Sequence, residues 1–175
     1  MSSDLKTLIQ IVNGVPIIQV DTWQLVRDVE EAQVMLSEST DVNAIFPLSV
    51  WAQLPTACRA RVRALWISPD YAFEASMEWL AQMELIAVDF PSFRDGRGYS
   101  VAYLLRTRYG WKGELRAIGD VLRDQLNYMR RCGFDVFVLR ADKDIQAALK
   151  SFNHYSVQYQ GGVDEPLPLF RRRTP

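Results

Sequence analysis

Short apolar segments rich in β-branched residues recur along this chain at nearly regular intervals, and helical patterns fill the spaces between them. The segments begin at positions 42, 64, 85, 113, 135 and 155. Strands that alternate with helices at this spacing are typical of βα units, whose strands lie parallel and are joined by right-handed crossovers. The sequence therefore predicts an α/β fold with a mainly parallel sheet built from about six βα units.

The strand patterns also bear on how the sheet is covered and closed. The segment "LIAVDF" from residue 85 is apolar almost throughout, as expected for a strand buried on both faces. Six units are fewer than the eight of a complete barrel, so both an open sheet and a partial barrel remain possible. Helical periodicity predicts helices at 49–61, 70–81, 98–109, 120–132 and 142–151.

Three residues indicate where two of these helices begin and end. Asp120 is placed to cap the helix at 120–132, and Gly133 follows it as a stop signal. Asp142 is placed in the same way at the start of the helix at 142–151.

The length of 175 residues fits one domain, which we predict to span residues 1–160. Within it, residues 1–41 are expected to form a hairpin or edge extension followed by a helix, "DVEEAQVMLSES". Residues 161–175 contain prolines and end in a run of arginines, so we expect a loose tail there.

Charge and cysteine usage argue against several classes of protein. The net charge of −1 gives no global field for nucleic acid, and no apolar run is long enough to span a membrane. Cys58 and Cys132 stand far apart without a CxxC motif, and no export signal is visible, which together favour a cytoplasmic location. With His154 as the only histidine, we expect no metal site.

The stretch "DFPSFRDGRGYSVAYLLR", residues 89–106, places charges and glycines at the start of a predicted helix. Ligands of parallel α/β folds lie at the carboxyl ends of the strands, and helix starts with flexible glycines and arginines favour anions. We therefore predict an anion site on this rim, with Arg97 and Arg116 close together. Its candidate residues are Arg94, Asp95, Gly96, Arg97, Gly98, Ser100, Arg116, Asp120 and Arg140.

A second interpretation of the same loop needs no ligand. Asp95 and Ser100 would cap the helix, while Arg97 would pair with Asp89 or Asp120. The glycine spacing is neither G-x-G-x-x-G nor a Walker loop, so the stretch does not predict a nucleotide site.

The segment "RTRYGWKG", residues 106–113, is a candidate for docking a protein partner. Gly110 is placed to end the preceding helix, which would leave Tyr109 and Trp111 near the surface beside Arg108 and Lys112. Aromatic and basic residues of this kind often anchor interfaces. A tryptophan folded back onto the core is equally consistent with the sequence.

Several motifs resemble those of a bacterial family of unknown function, strongly over residues 84–160 and more loosely over residues 42–83. They are F-x-D-G-R at Phe93–Arg97, L-L-R at Leu104–Arg106, G-E-L-R-A at Gly113–Ala117, G-D-V-L-x-D-Q at Gly119–Gln125 and R-x-G-F-D at Arg131–Asp135. Members are commonly encoded beside assimilatory sulfite reductase and are labelled probable oxidoreductases of sulfite reduction. The resemblance therefore implies a role in sulfite reduction.

Two functions are compatible with this resemblance. We expect an accessory protein that docks on sulfite reductase or its electron donor, and the alternative is an enzyme or binding domain for a small sulfur oxyanion or related anion. Redox enzymes normally take their hard chemistry from a cofactor, and the sequence has no nicotinamide, flavin, haem or cluster motif. We therefore predict no cofactor, and no catalytic residue is indicated.

Overall fold

A computed structural model describes residues 6–37, 43–153 and 155–172. Within these ranges the strands are β1 (Thr7–Val12), β2 (Val15–Val20), β3 (Gln24–Leu25), β4 (Ala44–Pro47), β5 (Ala64–Ile67), β6 (Leu85–Phe90), β7 (Glu114–Gly119) and β8 (Val136–Phe137). They form one sheet in the order β2-β1-β8-β7-β6-β5-β4-β3. The expectations for His154 and for residues 38–42 lie outside the described residues.

The sheet confirms the α/β class but is mixed. Of the seven pairings between described strands, five are parallel and two, those of β1 with β2 and with β8, are antiparallel. The antiparallel part arises because the amino-terminal hairpin, turning at Asn13 and Gly14 with positive φ, adds to the edge beside β8. The expected hairpin is thus confirmed, whereas the mainly parallel sheet is confirmed only in part.

The strand expected at 155 is wrong. Residues 155–159 form no strand, and Tyr155, Val157 and Tyr159 are exposed. The physical reason is competition for one edge, since β1 already occupies the side of β8 on which a sixth parallel strand would pair.

The sheet is open but strongly curled, a half-barrel. Its two edge strands, β2 and β3, are neighbours in sequence and are joined only by residues 21–23. In a flat sheet, seven spacings of about 4.8 Å would separate these edges by about 34 Å. The link can span at most about 14 Å, so the sheet has to curl until its edges approach each other.

Most of the predicted helices lie where expected, but they are shorter. They are α1 (Val29–Ser37), α2 (Leu48–Trp51), α3 (Thr56–Arg59), α4 (Met77–Leu80), α5 (Arg97–Thr107), α6 (Leu126–Cys132), α7 (Ile145–Leu149) and α8 (Leu169–Arg172), with 3-10 turns at Phe73–Ser76 and Lys150–Asn153. Gly133 ends α6 in a left-handed conformation, as predicted.

The predicted start of α6 is wrong because Asp120 bonds elsewhere. The helix begins later, at Leu126, and the Asp120 carboxylate accepts a hydrogen bond from the Phe93 amide at 2.9 Å. At α7 the cap is Asp144, which accepts from the amides of Gln146 and Ala147, while Asp142 binds arginine. Asp120 and Asp142 thus bind an amide or an arginine of the loops instead of the first turn of their own helices.

The two faces of the sheet have different coverings. In β6, Ile86, Val88 and Phe90 belong to the large core beneath the helices, whereas Leu85 and Ala87 point to the other face. All six residues of β6 are buried, which confirms the interpretation of "LIAVDF". The inner apolar cluster contains no helical residue among those described, so no layer of helices covers that cluster.

The segment expected to be a loose tail is bonded to the body over its described part. The Val163 amide donates to the Arg131 carbonyl in α6 at 2.8 Å, and the Leu169 amide donates to the Tyr159 carbonyl at 2.9 Å. Residues around Val163 therefore lie against α6, and Leu169 is bonded to the segment that precedes the tail.

Candidate functional site

Arg97, the centre of the predicted anion loop, is held by two carboxylates. Its Nη2 lies 2.7 Å from Asp95 Oδ2, and its Nη1 lies 2.6 Å from Asp70 Oδ1. The hydrogen bonds to Asp95 and then to Asp70 raise the pKa of Arg97. Asp95 also accepts from the Arg97 amide at 3.1 Å. The loop therefore has the ion-paired form, with Asp70 rather than Asp89 or Asp120 as the second partner, whereas Gly96 stands at the N-cap of α5 without a side-chain cap.

The other residues of this loop point to solvent or into the core. Arg94 lies 5.4 Å from the Phe93 ring centroid, and Ser100 is exposed on α5. Gly96 has φ of −83°, a conformation open to any residue, and it has no atom closer than 4.0 Å to the position of a Cβ. Gly98 is different, because a Cβ there would lie 2.6 Å from Cζ of Phe90. Gly98 serves close packing of α5 on β6 rather than approach to a ligand.

We expect Gly98→Ala to destabilise the protein by about 1–2 kcal/mol, because overpacking a core typically costs more than alanine gains in helix propensity. The Phe90 ring cannot move aside freely, since it is confined by Tyr99 and Phe134. Urea unfolding of the wild-type protein and of Gly98→Ala measures the difference in their free energies of unfolding. The matched control is Gly96→Ala, which should be neutral or slightly stabilising because its backbone conformation suits alanine. Equal effects of the two substitutions would contradict this assignment.

Arg116 is buried on the inner face of the sheet, 2% exposed, and it binds one carboxylate that is distant in sequence and one from its own strand. Nη1 lies 2.8 Å from Asp21 Oδ1, and Nη2 lies 2.7 Å from Glu114 Oε1. The guanidinium thus turns back toward the first residue of β7, away from the carboxyl-end loops. Among the described contacts Arg116 and Arg97 share no partner, so the structure does not bring together the two arginines expected to lie side by side.

Asp120 and Arg140 do meet at the carboxyl ends of the strands. Arg140 Nη1 lies 2.9 Å from Asp120 Oδ1, and its Nε lies 2.6 Å from Asp142 Oδ1. The Phe93 amide, followed by Arg140, lowers the pKa of Asp120. The hydrogen bonds that Arg140 donates, first to Asp142 and then to Asp120, raise the pKa of Arg140. These groups connect the loops that follow β6, β7 and β8.

Arg27 is a residue that sequence reasoning missed. It follows β3, and its Nη2 lies 2.7 Å from Oδ1 of Asp89, a buried carboxylate near the end of β6. Its guanidinium also lies 5.4 Å from the ring centroid of Trp66. Nothing in the local pattern around Arg27 signals this, because Asp89 is 62 residues away and Trp66 is distant as well.

A pocket of about 490 Å³ opens on the inner face of the half-barrel. Its floor is apolar and comes from strands on both sides of the curl. Four basic residues line it, Lys6, Arg116, Arg140 and Lys143, against one carboxylate, Asp21. The pocket thus combines apolar surface with a basic wall, and it includes two of the predicted anion-site residues, Arg116 and Arg140.

The proposed docking segment has its central aromatic residue inside the protein. Trp111 is only 6% exposed, with Arg106 stacked on it at 5.2 Å from the ring centroid. Tyr109 is half-buried and contacts Phe73 edge-on at 6.1 Å. Arg108 and Lys112 are exposed. The folded-back arrangement of Trp111 is therefore the observed one, and the expectation of an exposed tryptophan is wrong.

The fold and the pocket define an α/β half-barrel protein with a basic, partly apolar cavity on its inner face. The chain belongs to the family described as bacterial protein of unknown function (DUF934), whose model matches residues 64–170. This confirms the family resemblance seen in the motifs.

Comparison with curated proteins and with solved structures gave no match. No helix within the described parts of the chain combines the length and apolar character needed to cross a membrane.

Proposed function

We propose that the protein is an accessory of assimilatory sulfite reduction that binds a small anion in the inner-face pocket. The observation that carries the binding proposal is that four basic side chains line this pocket and that two of them, Lys6 and Lys143, are not held between two carboxylates as Arg116 and Arg140 are. Concave sites with a few convergent polar groups are where small ligands usually bind. The role in sulfite reduction rests on the family resemblance.

The pocket supports this proposal better than the glycine–arginine loop does. Arg97 is already neutralised by Asp95 and Asp70, and a ligand would have to displace one of them. In the pocket, Lys6 has no ion pair among the described contacts, and Lys143 uses only one hydrogen bond, to Asp142. These ammonium groups can bind an anion without losing a partner.

Calorimetric titration of the purified protein with sulfite and with sulfate tests anion binding. We expect at least one of them to bind, and the charge reversal Lys143→Glu to weaken that binding at least tenfold. Lys112→Glu is the matched control, since Lys112 is exposed and lines neither this pocket nor the depression beside it that Arg140 and Lys143 also line. If binding is insensitive to Lys143→Glu but is lost on Arg97→Ala, the anion site lies in the glycine–arginine loop at residues 94–98 and not in the pocket.

The accessory role also requires a docking surface, and the exposed aromatic side chains near α6 suit it better than residues 108–112. Tyr103, Tyr128 and Tyr159 line one shallow depression, and Phe170 lies 6.5 Å from Tyr159. All four are exposed. We propose that sulfite reductase or its electron donor contacts this surface, because aromatic residues are frequent anchors of interfaces.

A pull-down with sulfite reductase and its electron donor, at low and high salt, tests this surface. We expect Tyr128→Ser to reduce capture and Lys112→Ser to leave it nearly unchanged. Capture that is lost on Lys112→Ser, or strongly on raising the salt, would instead favour the basic segment at 108–112.

A further inference from the structure

The inner-face pocket is too large for an inorganic oxyanion alone. Its volume is about 490 Å³, which lies within the range of about 300–1,000 Å³ typical of sites for drug-sized molecules. A single sulfite or sulfate ion would replace only a few water molecules of about 30 Å³ each. Most of the pocket would then stay filled with water against apolar side chains.

The floor of the pocket is a continuous apolar surface. Ile118 lies two residues beyond Arg116 on the same face of β7, and Val138 lies beside it, since the Val138 amide donates to the Ala117 carbonyl at 3.0 Å. Leu25 and Ile45 contribute from the opposite edge of the curl. A ligand that covers this floor removes apolar area from water, which is the main source of affinity in such sites.

The basic groups lie together at the mouth rather than along the floor. Lys6 immediately precedes β1, which pairs antiparallel with β8, so it lies close to Arg140 just beyond the end of β8. The Lys143 amide donates to the Arg140 carbonyl at 3.0 Å, which fixes Lys143 in the same loop. The pocket therefore has a basic end and an apolar body.

This basic end keeps unused donors. Arg140 donates through Nε, Nη1 and Nη2 to Asp142 and Asp120, which leaves two of its five N–H groups. Lys143 bonds to Asp142 and has two further N–H groups. An acidic head group can bind here while both carboxylates keep their partners.

We propose that the inner-face pocket binds an amphipathic organic anion, with its acidic head group at Lys6, Arg140 and Lys143 and its apolar body on Leu25, Ile45, Ile118 and Val138. This inference rests on the proposed function, because it specifies the ligand of the same pocket. The inference goes beyond the proposed function because it requires the ligand to have an apolar carbon body in addition to its charge.

Calorimetric titration with methanesulfonate, butanesulfonate and hexanesulfonate, all below micellar concentrations, tests the inference. We expect the dissociation constant to fall by up to about fourfold for each methylene that is buried. Val138→Phe, which fills the floor, should weaken hexanesulfonate at least tenfold and leave methanesulfonate nearly unchanged. Lys143→Glu should weaken the binding of all three sulfonates, and Lys112→Glu the binding of none.

The outcomes separate this inference from the proposed function. If sulfite or sulfate binds but affinity does not rise with chain length, the inference is overturned and the proposed function stands. If neither the inorganic anions nor the sulfonates bind, both fail. If 1-hexanol binds as tightly as hexanesulfonate, the requirement for an acidic head is wrong. Thermal unfolding of Val138→Phe confirms that the variant is folded, and the exposed Lys143 gives an independent test.

Discussion

Replacing Arg116 by leucine is expected to destabilise the protein by about 3–5 kcal/mol, because breaking a buried ion pair leaves uncompensated charge in a region of low dielectric. The guanidinium is buried and donates to Asp21 and Glu114, so its loss leaves both carboxylates without a cation. The Asp21 side chain is itself only 9% exposed. Asp21 is also the first residue of the link that joins the two edges of the curled sheet, so we expect the half-barrel to loosen there.

Urea unfolding of Arg116→Leu measures this loss, with the exposed Arg123 as the control position. Arg123→Leu should change stability by no more than about 0.5 kcal/mol, as is usual for surface substitutions. Adding Asp21→Asn to Arg116→Leu should recover part of the loss, because one uncompensated charge is removed. A cost below about 1 kcal/mol for Arg116→Leu would show that water reaches the cluster and that the ion pairs contribute little.

The second large effect is expected at Gly119, which ends β7 and pairs with Phe90 at the end of β6. Its φ is +94°, and a Cβ there would collide with the Phe90 carbonyl and lie 2.7 Å from Oδ1 of Asp89. We expect Gly119→Ala to cost about 2–5 kcal/mol, the sum of left-handed strain and of overpacking against backbone.

A second glycine with a positive φ but no close neighbour allows the cost of backbone strain to be measured separately from the cost of overpacking. Gly110 also has a positive φ, and no atom lies near the position of a Cβ there. Gly110→Ala should therefore cost only the backbone part, about 1–2 kcal/mol. Thermal and urea unfolding of both variants give the comparison. If Gly119→Ala were no worse than Gly110→Ala, the ends of β6 and β7 around Asp89 would be able to move apart.

Local patterns in the sequence were sufficient for the parallel part of the fold. The continuous apolar run of β6, the alternation of strands and helices from β4 to β8, and the stop signal at Gly133 depend on neighbouring residues alone. The motifs at 93–135 likewise identified the family, because they are contiguous in the chain. The loop at 94–98 could be placed at a strand's carboxyl end, but its two interpretations differed only in the partner of Arg97.

The partners of the charged residues were decided by tertiary structure. Asp70, which holds Arg97, is 27 residues away from it, and Asp21 is 95 residues from Arg116. The chain pattern carries no signal for such pairs, because they depend on how the sheet curls and on which strands become neighbours. The same competition for an edge gave the place beside β8 to the amino-terminal hairpin instead of residues 155–159.

The pocket depends both on the pattern of the sequence and on the tertiary structure. The sequence determined that the strands carry apolar residues on two faces, which by itself favours helices on both sides of the sheet. Only the short link between β2 and β3 forces the sheet to curl, and the curl leaves one face as the inside of a half-barrel instead of a second helix layer. Because a short connection cannot reach across a flat sheet, geometry rather than residue pattern created the cavity. The pairing of β1 with β8 then brought Lys6 to Arg140 and Lys143 at its mouth.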